Sequence, residues 1–332
     1  MTWAEIVLVM MWLGLTAYAL LGGADFGGGF WDLIAGGAKR GAPQRALIEH
    51  SIGPVWEANH VWLIFVLVIL WTGFPAVFAA LASSLYVPLT AAGLGIILRG
   101  AGFAFRKVVE GIPLKRIFGA TFALSSVMTP FFLGTIAGAV ASGRVPPGNA
   151  AGDPVVSWLN PTSVLGGILA VGSCAYLAAV YLTADATRDE ESILSEGFRA
   201  RAIATAIVTG AVALGGIAVL RADAPDLYDG LTGRALPLVA LSGAGGLASV
   251  LLVLRRSYVA ARLAAGLAVA SVLWGWGVAQ YPDMLVGRIT IAEAAASSAS
   301  LKAVAISLGI GTALFVPGLV WLLVLFQRPK EA

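Results

Sequence analysis

The chain has 332 residues, of which 59% are hydrophobic and 12% charged, with a net charge of +3. Lys, Arg, Asp and Glu gather in short stretches between long apolar runs, which excludes a water-soluble globular domain. The small positive charge follows from how basic residues divide between the two sides of a membrane, so it gives no sign of nucleic-acid binding.

A helix that crosses a bilayer needs about 20 apolar residues, each rising about 1.5 Å. Nine segments meet that requirement: 4–33, 51–72, 78–105, 116–141, 158–184, 200–220, 236–254, 260–281 and 303–326. No segment alternates at period 2, and every backbone polar group must be satisfied inside lipid, so helices rather than a barrel are predicted. The predicted fold is an all-α, polytopic integral membrane protein, with residues 1–332 as a single membrane domain. It shows no internal repeat and no linker long enough to separate soluble units. The outer connection from Gly143 to Pro154 reads as turns, and the stretch from Asp185 to Ser195 reads as a solvated loop.

The connections after spans 1, 3, 5 and 7, together with the C-terminal tail, carry 15 of the 21 Lys and Arg residues; the opposite side carries five, and Arg99 stands inside a span. The positive-inside rule then places the N-terminus outside and the C-terminus in the cytoplasm. No basic residue precedes the first apolar run, so no cleavable signal is expected. Cys174 is the one cysteine; it can form no internal disulfide and reads as a small apolar residue of span 5.

In chain order, the first chemically loaded stretch is Gly22-Gly-Ala-Asp-Phe-Gly-Gly-Gly29. Phosphate loops follow a strand and open a helix in water, and neither context holds here. Gly23 and Gly27 instead stand four apart within a span, a spacing that lets another helix come close beside Asp25. The second stretch is Ser51-Ile-Gly-Pro-Val-Trp-Glu-Ala-Asn-His-Val-Trp62, which puts Glu57, Asn59, His60, Trp56 and Trp62 at the opening of span 2. The third feature is Arg99 in span 3. Counted along their helices, Asp25, Glu57 and Arg99 each lie about 10 Å from the basic edge, in one layer. Two acids sharing one base can hold a proton between them, as a proton relay requires. The alternative is a buried ion-pair network that fixes helix register. His60, three residues from Glu57, relays protons, ligates a metal, or hydrogen-bonds to a neighbour. His50 sits at the aqueous edge.

Together these residues resemble subunit II of the cytochrome bd-type quinol oxidases. The resemblance rests on Ala24-Asp-Phe-Gly27, Ser51 to Leu63, Phe74-Pro75, Leu98-Arg-Gly-Ala-Gly-Phe-Ala-Phe-Arg106, and the later Tyr281-Pro282 with Ile289-Thr-Ile-Ala-Glu-Ala-Ala295. It is strong from about residue 14 to 120, recurs from about 274 to 326 and is weak between. It implies nine transmembrane helices in a bacterial plasma membrane, pairing with a haem-bearing subunit I, and a respiratory complex that oxidises quinol and reduces dioxygen to water. Haems b and d are expected in subunit I, with no cofactor bound by this chain. The resemblance leaves room for small single-span accessory subunits and for a membrane lipid or quinone in a groove. It also implies a proton route from the cytoplasm through Asp25, Glu57 and Arg99, with His60 beside it and Trp56, Asn59 and Trp62 in support. The family commonly has Asp at Glu57, and an acid or amide at His60. Two His and five Met give few axial haem ligands, which agrees with redox chemistry held elsewhere. A proton-coupled transporter also places acids within spans, but transporters tend to show inverted repeats and midplane helix breaks. A purely structural scaffold leaves the buried charges unexplained.

Overall fold

The computed structural model describes residues 1–37, 39–53 and 56–327, with the side chains of the last few left aside. Arg328 and Lys330, which enter the charge count above, and Pro54 and Val55 of the span 2 motif lie outside the described residues. Among the described residues, nine helices are long and apolar enough to cross a membrane: Trp3–Leu33, Trp56–Gly73, Tyr86–Val108, Ile112–Ala141, Pro161–Arg188, Ser192–Asp223, Leu236–Leu254, Tyr258–Gln280 and Ser298–Trp321.

Three boundaries differ from the sequence reading. Ser51 belongs to a separate helix, Ala42–Ile52, which opens with Pro43 in its first turn, and span 2 starts only at Trp56. Residues 78–84, read as the beginning of span 3, lie in a short helix Pro75–Ser84. Pro75 holds the preceding Phe74 out of helical geometry, at φ −137° and ψ 58°, so span 2 ends there. A small antiparallel pair of strands, Asp283–Leu285 with Ile289–Thr290, and a helix Pro225–Thr232 complete the side opposite the basic connections. The stretch from Asp185 to Ser195 is mostly helical, because spans 5 and 6 extend well past the bilayer-length runs that define them.

Span 1 organises the bundle. Its first half packs on spans 2 and 9, and its second half on spans 4 and 5. One apolar core lies toward the basic side, around Trp31, Ile48, Phe103, Phe122, Leu177 and Phe198. Another lies toward the opposite side, around Val7, Ile69, Phe74, Leu85, Val145 and Leu285. Between them sits a smaller cluster of Tyr18, Phe26 and Cys174, flanked by Trp62, Leu63, Ile96 and Leu133. At that level span 1 widens into a π-helical stretch, Tyr18–Gly22, before returning to α-helix at Gly23. Such stretches re-aim the side chains around them and are frequent at functional sites.

Candidate functional site: a buried acid and a buried base around Phe26

The glycines of span 1 set how closely its neighbours approach. A Cβ on Gly27 would overlap the carbonyl oxygen of Cys174 and lie 2.6 Å from the Ala178 methyl, so span 5 rests directly on the backbone of span 1 there. At Gly23 a Cβ would meet Cys174 Sγ at 3.5 Å and Leu177 Cδ1 at 3.7 Å, which is ordinary contact. A Cβ on Gly29 would overlap the Ser126 hydroxyl of span 4. Close approach therefore falls at Gly27 and Gly29 more than at Gly23.

This packing encloses Asp25, only 6% exposed. Its carboxylate accepts a hydrogen bond from Asn59 Nδ2 at 2.6 Å, which joins span 1 to span 2. Arg99 of span 3 is 1% exposed. Its Nε donates to Ser126 Oγ at 3.1 Å, and its guanidinium carbon lies 4.9 Å from the Phe26 ring centre and 5.2 Å from that of Phe122. Ser126 is itself anchored, donating to the Phe122 carbonyl at 2.6 Å. Asp25 and Arg99 thus share a level but make no direct ion pair; each is solvated by a different set of neutral groups.

Glu57 is exposed on this chain, whereas Asp25 and Arg99 are buried. The reason is angular. Residues two apart on a helix differ by about 200° around the axis, so once Asn59 turns inward to Asp25, Glu57 must turn outward. It heads a face on which Val61, Ile64, Val68 and Trp71 are all exposed.

The other residues of the span 2 motif separate by role. The Trp56 ring packs on Phe103 of span 3 at 5.3 Å, and Trp62 packs edge-on against Phe315 of span 9 at 5.6 Å. His60 is half-buried, its ring 6.1 Å from Tyr18 and 5.9 Å from Phe26. Its Nδ1 finds no hydrogen-bond partner among the described residues, so at that atom the simple hydrogen-bonded reading is not met. Cys174 is buried against span 1, and His50 is exposed at the edge.

Two features of the site lie outside the sequence reading. Asp32, at the end of span 1, is bound by Arg45 Nε at 2.6 Å and by Arg106 Nη1. Arg45 also donates to the Gly36 and Gly37 carbonyls, which ties down the connection after span 1. An acid between two basic connections was a usable hint. Ser126, a serine in an apolar run, offered none.

Among the described residues no group of three or more His, Cys, Asp or Glu side chains could hold a metal ion. A cavity of 260 Å³ near Asp226 and Asp283 is lined by no His, Met, Cys or Tyr.

The family profile of cytochrome bd terminal oxidase subunit II matches residues 3–326. The chain belongs to that family. Subunit 2 of the cytochrome bd ubiquinol oxidase of Bacillus subtilis is 27% identical over 179 residues, covering 52% of each chain. Subunit 2 of the cytochrome bd-I ubiquinol oxidase of Escherichia coli K12 is 28% identical over 179 residues, 51% of this chain and 45% of its own. The alignment thus spans about half the length of these curated relatives. The structure of bd oxidase from Geobacillus thermodenitrificans is matched at a TM-score of 0.76 with 26% identity, covering 99% of this chain and 100% of that one. The nine spans and this membership make the chain a multi-pass protein of the bacterial plasma membrane.

Proposed function

We propose that this chain is the non-haem subunit II of a bd-type terminal oxidase, which oxidises quinol and reduces dioxygen to water with haems b and d carried by subunit I. The family match over residues 3–326 carries this reading. The basic side of the bundle faces the cytoplasm, on the excess of Lys and Arg there.

Within that complex, Asp25 and Glu57 take up protons from the cytoplasmic side, Arg99 sets the charge around them, and His60 stands beside the path. Asn59 orients the Asp25 carboxyl. Glu57 belongs to the same route from a different face. A carboxylate on an otherwise apolar membrane face is costly in lipid, and Glu57, Val61, Ile64, Val68 and Trp71 follow the four-three spacing of a helix-packing seam. Subunit I covers this seam and brings Glu57 to the subunit boundary. Packing at Gly27, with Gly23 beside it, holds span 1 in place for Asp25.

The test is quinol-driven oxygen consumption by the purified complex, normalised to haem. Asp25→Asn and Glu57→Gln are near-isosteric, so assembly should persist while turnover falls by about a hundredfold or more, as when a group that must titrate is removed. Glu57→Asp should retain much activity. Full turnover with intact proton uptake in both amide variants would leave the register-fixing role as the better account.

A further inference from the structure

We propose that the Phe26 ring floors a hydrated chamber, in which water bridges Tyr18 Oη, His60 Nδ1 and Arg99 Nη2, and that Tyr18 and His60 relay protons from the Asp25 site toward the middle of the membrane. The relay half rests on the reading of Asp25 as a proton-carrying acid. The chamber itself does not.

Tyr18 Oη, His60 Nδ1 and Arg99 Nη2 are each shut off from solvent, and none has a hydrogen-bond partner among the described residues. Such orphans are rare, because an unpaired polar group in an apolar interior is costly. Here three of them come from three different spans, on side chains whose rings and guanidinium gather about Phe26. Phe26 lies 6.3 Å from the Tyr18 ring, 5.9 Å from the His60 ring and 4.9 Å from the Arg99 guanidinium carbon. Tyr18 and His60 are themselves 6.1 Å apart between centroids.

Their chemistry is complementary through water. The guanidinium only donates, the phenol donates and accepts, and the imidazole nitrogen accepts or donates with its tautomer. One or two waters can satisfy all three atoms at once, as buried waters typically do. The backbone supports the same assignment. The π-helical stretch begins at Tyr18, where a widened turn re-aims the phenol. Tyr18 is seven residues before Asp25, about 10 Å further from the basic side along the helix, so the chamber continues from the acid inward. In each transfer the relaying group gains one proton as it gives up another, His60 taking one at Nδ1 and releasing one from Nε2. Tyr18 Oη receives one from one water and passes its own to the next, and no charge stays on the ring.

The test uses the assembled, purified oxidase carrying Tyr18→Phe, His60→Leu, His60→Gln or Asp25→Asn. A cryo-EM map of the unmodified complex that resolves water should show density within hydrogen-bonding distance of all three atoms. Tyr18→Phe removes only a hydroxyl, so haem content and assembly should hold, while turnover per haem falls about tenfold and the solvent deuterium isotope effect rises. His60→Gln, which keeps a hydrogen-bonding side chain, should retain more turnover than His60→Leu. No water density at the three atoms overturns the chamber. Unchanged turnover and isotope effect in Tyr18→Phe overturn the relay through it: if Asp25→Asn is slow, the relay alone fails, and if Asp25→Asn also runs at full rate, the acid reading fails with it. Should His60→Leu not assemble, Tyr18→Phe decides the matter.

Discussion

Adding one methyl group at Gly27 and one at Gly23 should have opposite consequences, although the two glycines stand one helical turn apart in the same span. At Gly27 the new Cβ overlaps the Cys174 carbonyl oxygen and reaches within 2.5 Å of its carbon, in the middle of a 28-residue helix that has no flexible end to yield. Overpacking of this kind costs about 1–3 kcal/mol, against which Ala gains up to about 1 kcal/mol over Gly in helix propensity. At Gly23 the contacts, 3.5 Å and 3.7 Å, cost nothing, so only the propensity gain remains. The two variants should differ by about 1–3 kcal/mol, with Gly23→Ala equal to or better than the parent. Because membrane complexes unfold irreversibly, the useful measurement is the half-life of the solubilised complex at a fixed elevated temperature, read from tryptophan fluorescence and haem loss. The expected order is Gly23→Ala, parent, Gly27→Ala, Gly27→Leu. A Gly27→Ala complex as durable as the parent, or a Gly23→Ala complex as weak as Gly27→Ala, would refute the close approach of spans 1 and 5 at Gly27.

Asp32→Asn should loosen the connection after span 1. Each arginine is about one-fifth exposed, so the loss is nearer about 1–2 kcal/mol than the 3–5 of a fully buried pair; faster tryptic cleavage at Lys39 and Arg40 is the check, and an unchanged rate counts against it. Asn59→Leu removes the donor to a buried carboxylate, at about 1–3 kcal/mol; the yield of assembled complex should drop, and normal yield with normal turnover would show the bond to be dispensable. Expressed without its partner and supplied with haem, the chain should show no stoichiometric haem absorption; tight one-to-one binding that His60→Ala abolishes would sink that expectation.

The span count and the level of Asp25 and Arg99 were legible because both depend on distance along a helix axis, and sequence gives that directly at a fixed rise per residue. What sequence reading missed was rotation about the axis. Asp25 and Glu57 lie at similar depth in the count, yet one faces the bundle interior and the other its exterior. Nothing in an apolar span declares its inward side, since the lipid-facing residues are as hydrophobic as the buried ones; within span 2 the exposed Val61 and Ile64 are as apolar as the buried Ile69. The first-turn break at Phe74-Pro75 carried a local signal, but hydropathy alone runs straight through it. The orphaned atoms of Tyr18 and Arg99, and the bond from Arg99 to Ser126, arise only when spans 1, 3 and 4 meet, and no single segment encodes them.

The rotational arrangement bears on how a proton can be held here. Were Asp25 and Arg99 a direct ion pair, protonating the acid would strand the guanidinium in an apolar interior, and removing the arginine would strand the carboxylate. In this bundle each charge has its own neutral support: Asn59 for the acid, and Ser126 with the faces of Phe26 and Phe122 for the base. A cation over a desolvated aromatic face gains about 2 kcal/mol, and two such faces persist whatever the state of Asp25. Arg99→Lys keeps the charge but loses the planar fork and its stacking, whereas Arg99→Leu removes the charge altogether. If separate support is what lets Asp25 change protonation without disturbing the bundle, Arg99→Lys should assemble with reduced yield and retain measurable turnover, and Arg99→Leu should turn over at the slow rate of Asp25→Asn. The measurement is haem-normalised oxygen consumption of the two variants alone and combined with Asp25→Asn. Additive losses in the double variant Arg99→Leu with Asp25→Asn would show that the two residues act independently, and that the cation is not what sets the acid's behaviour.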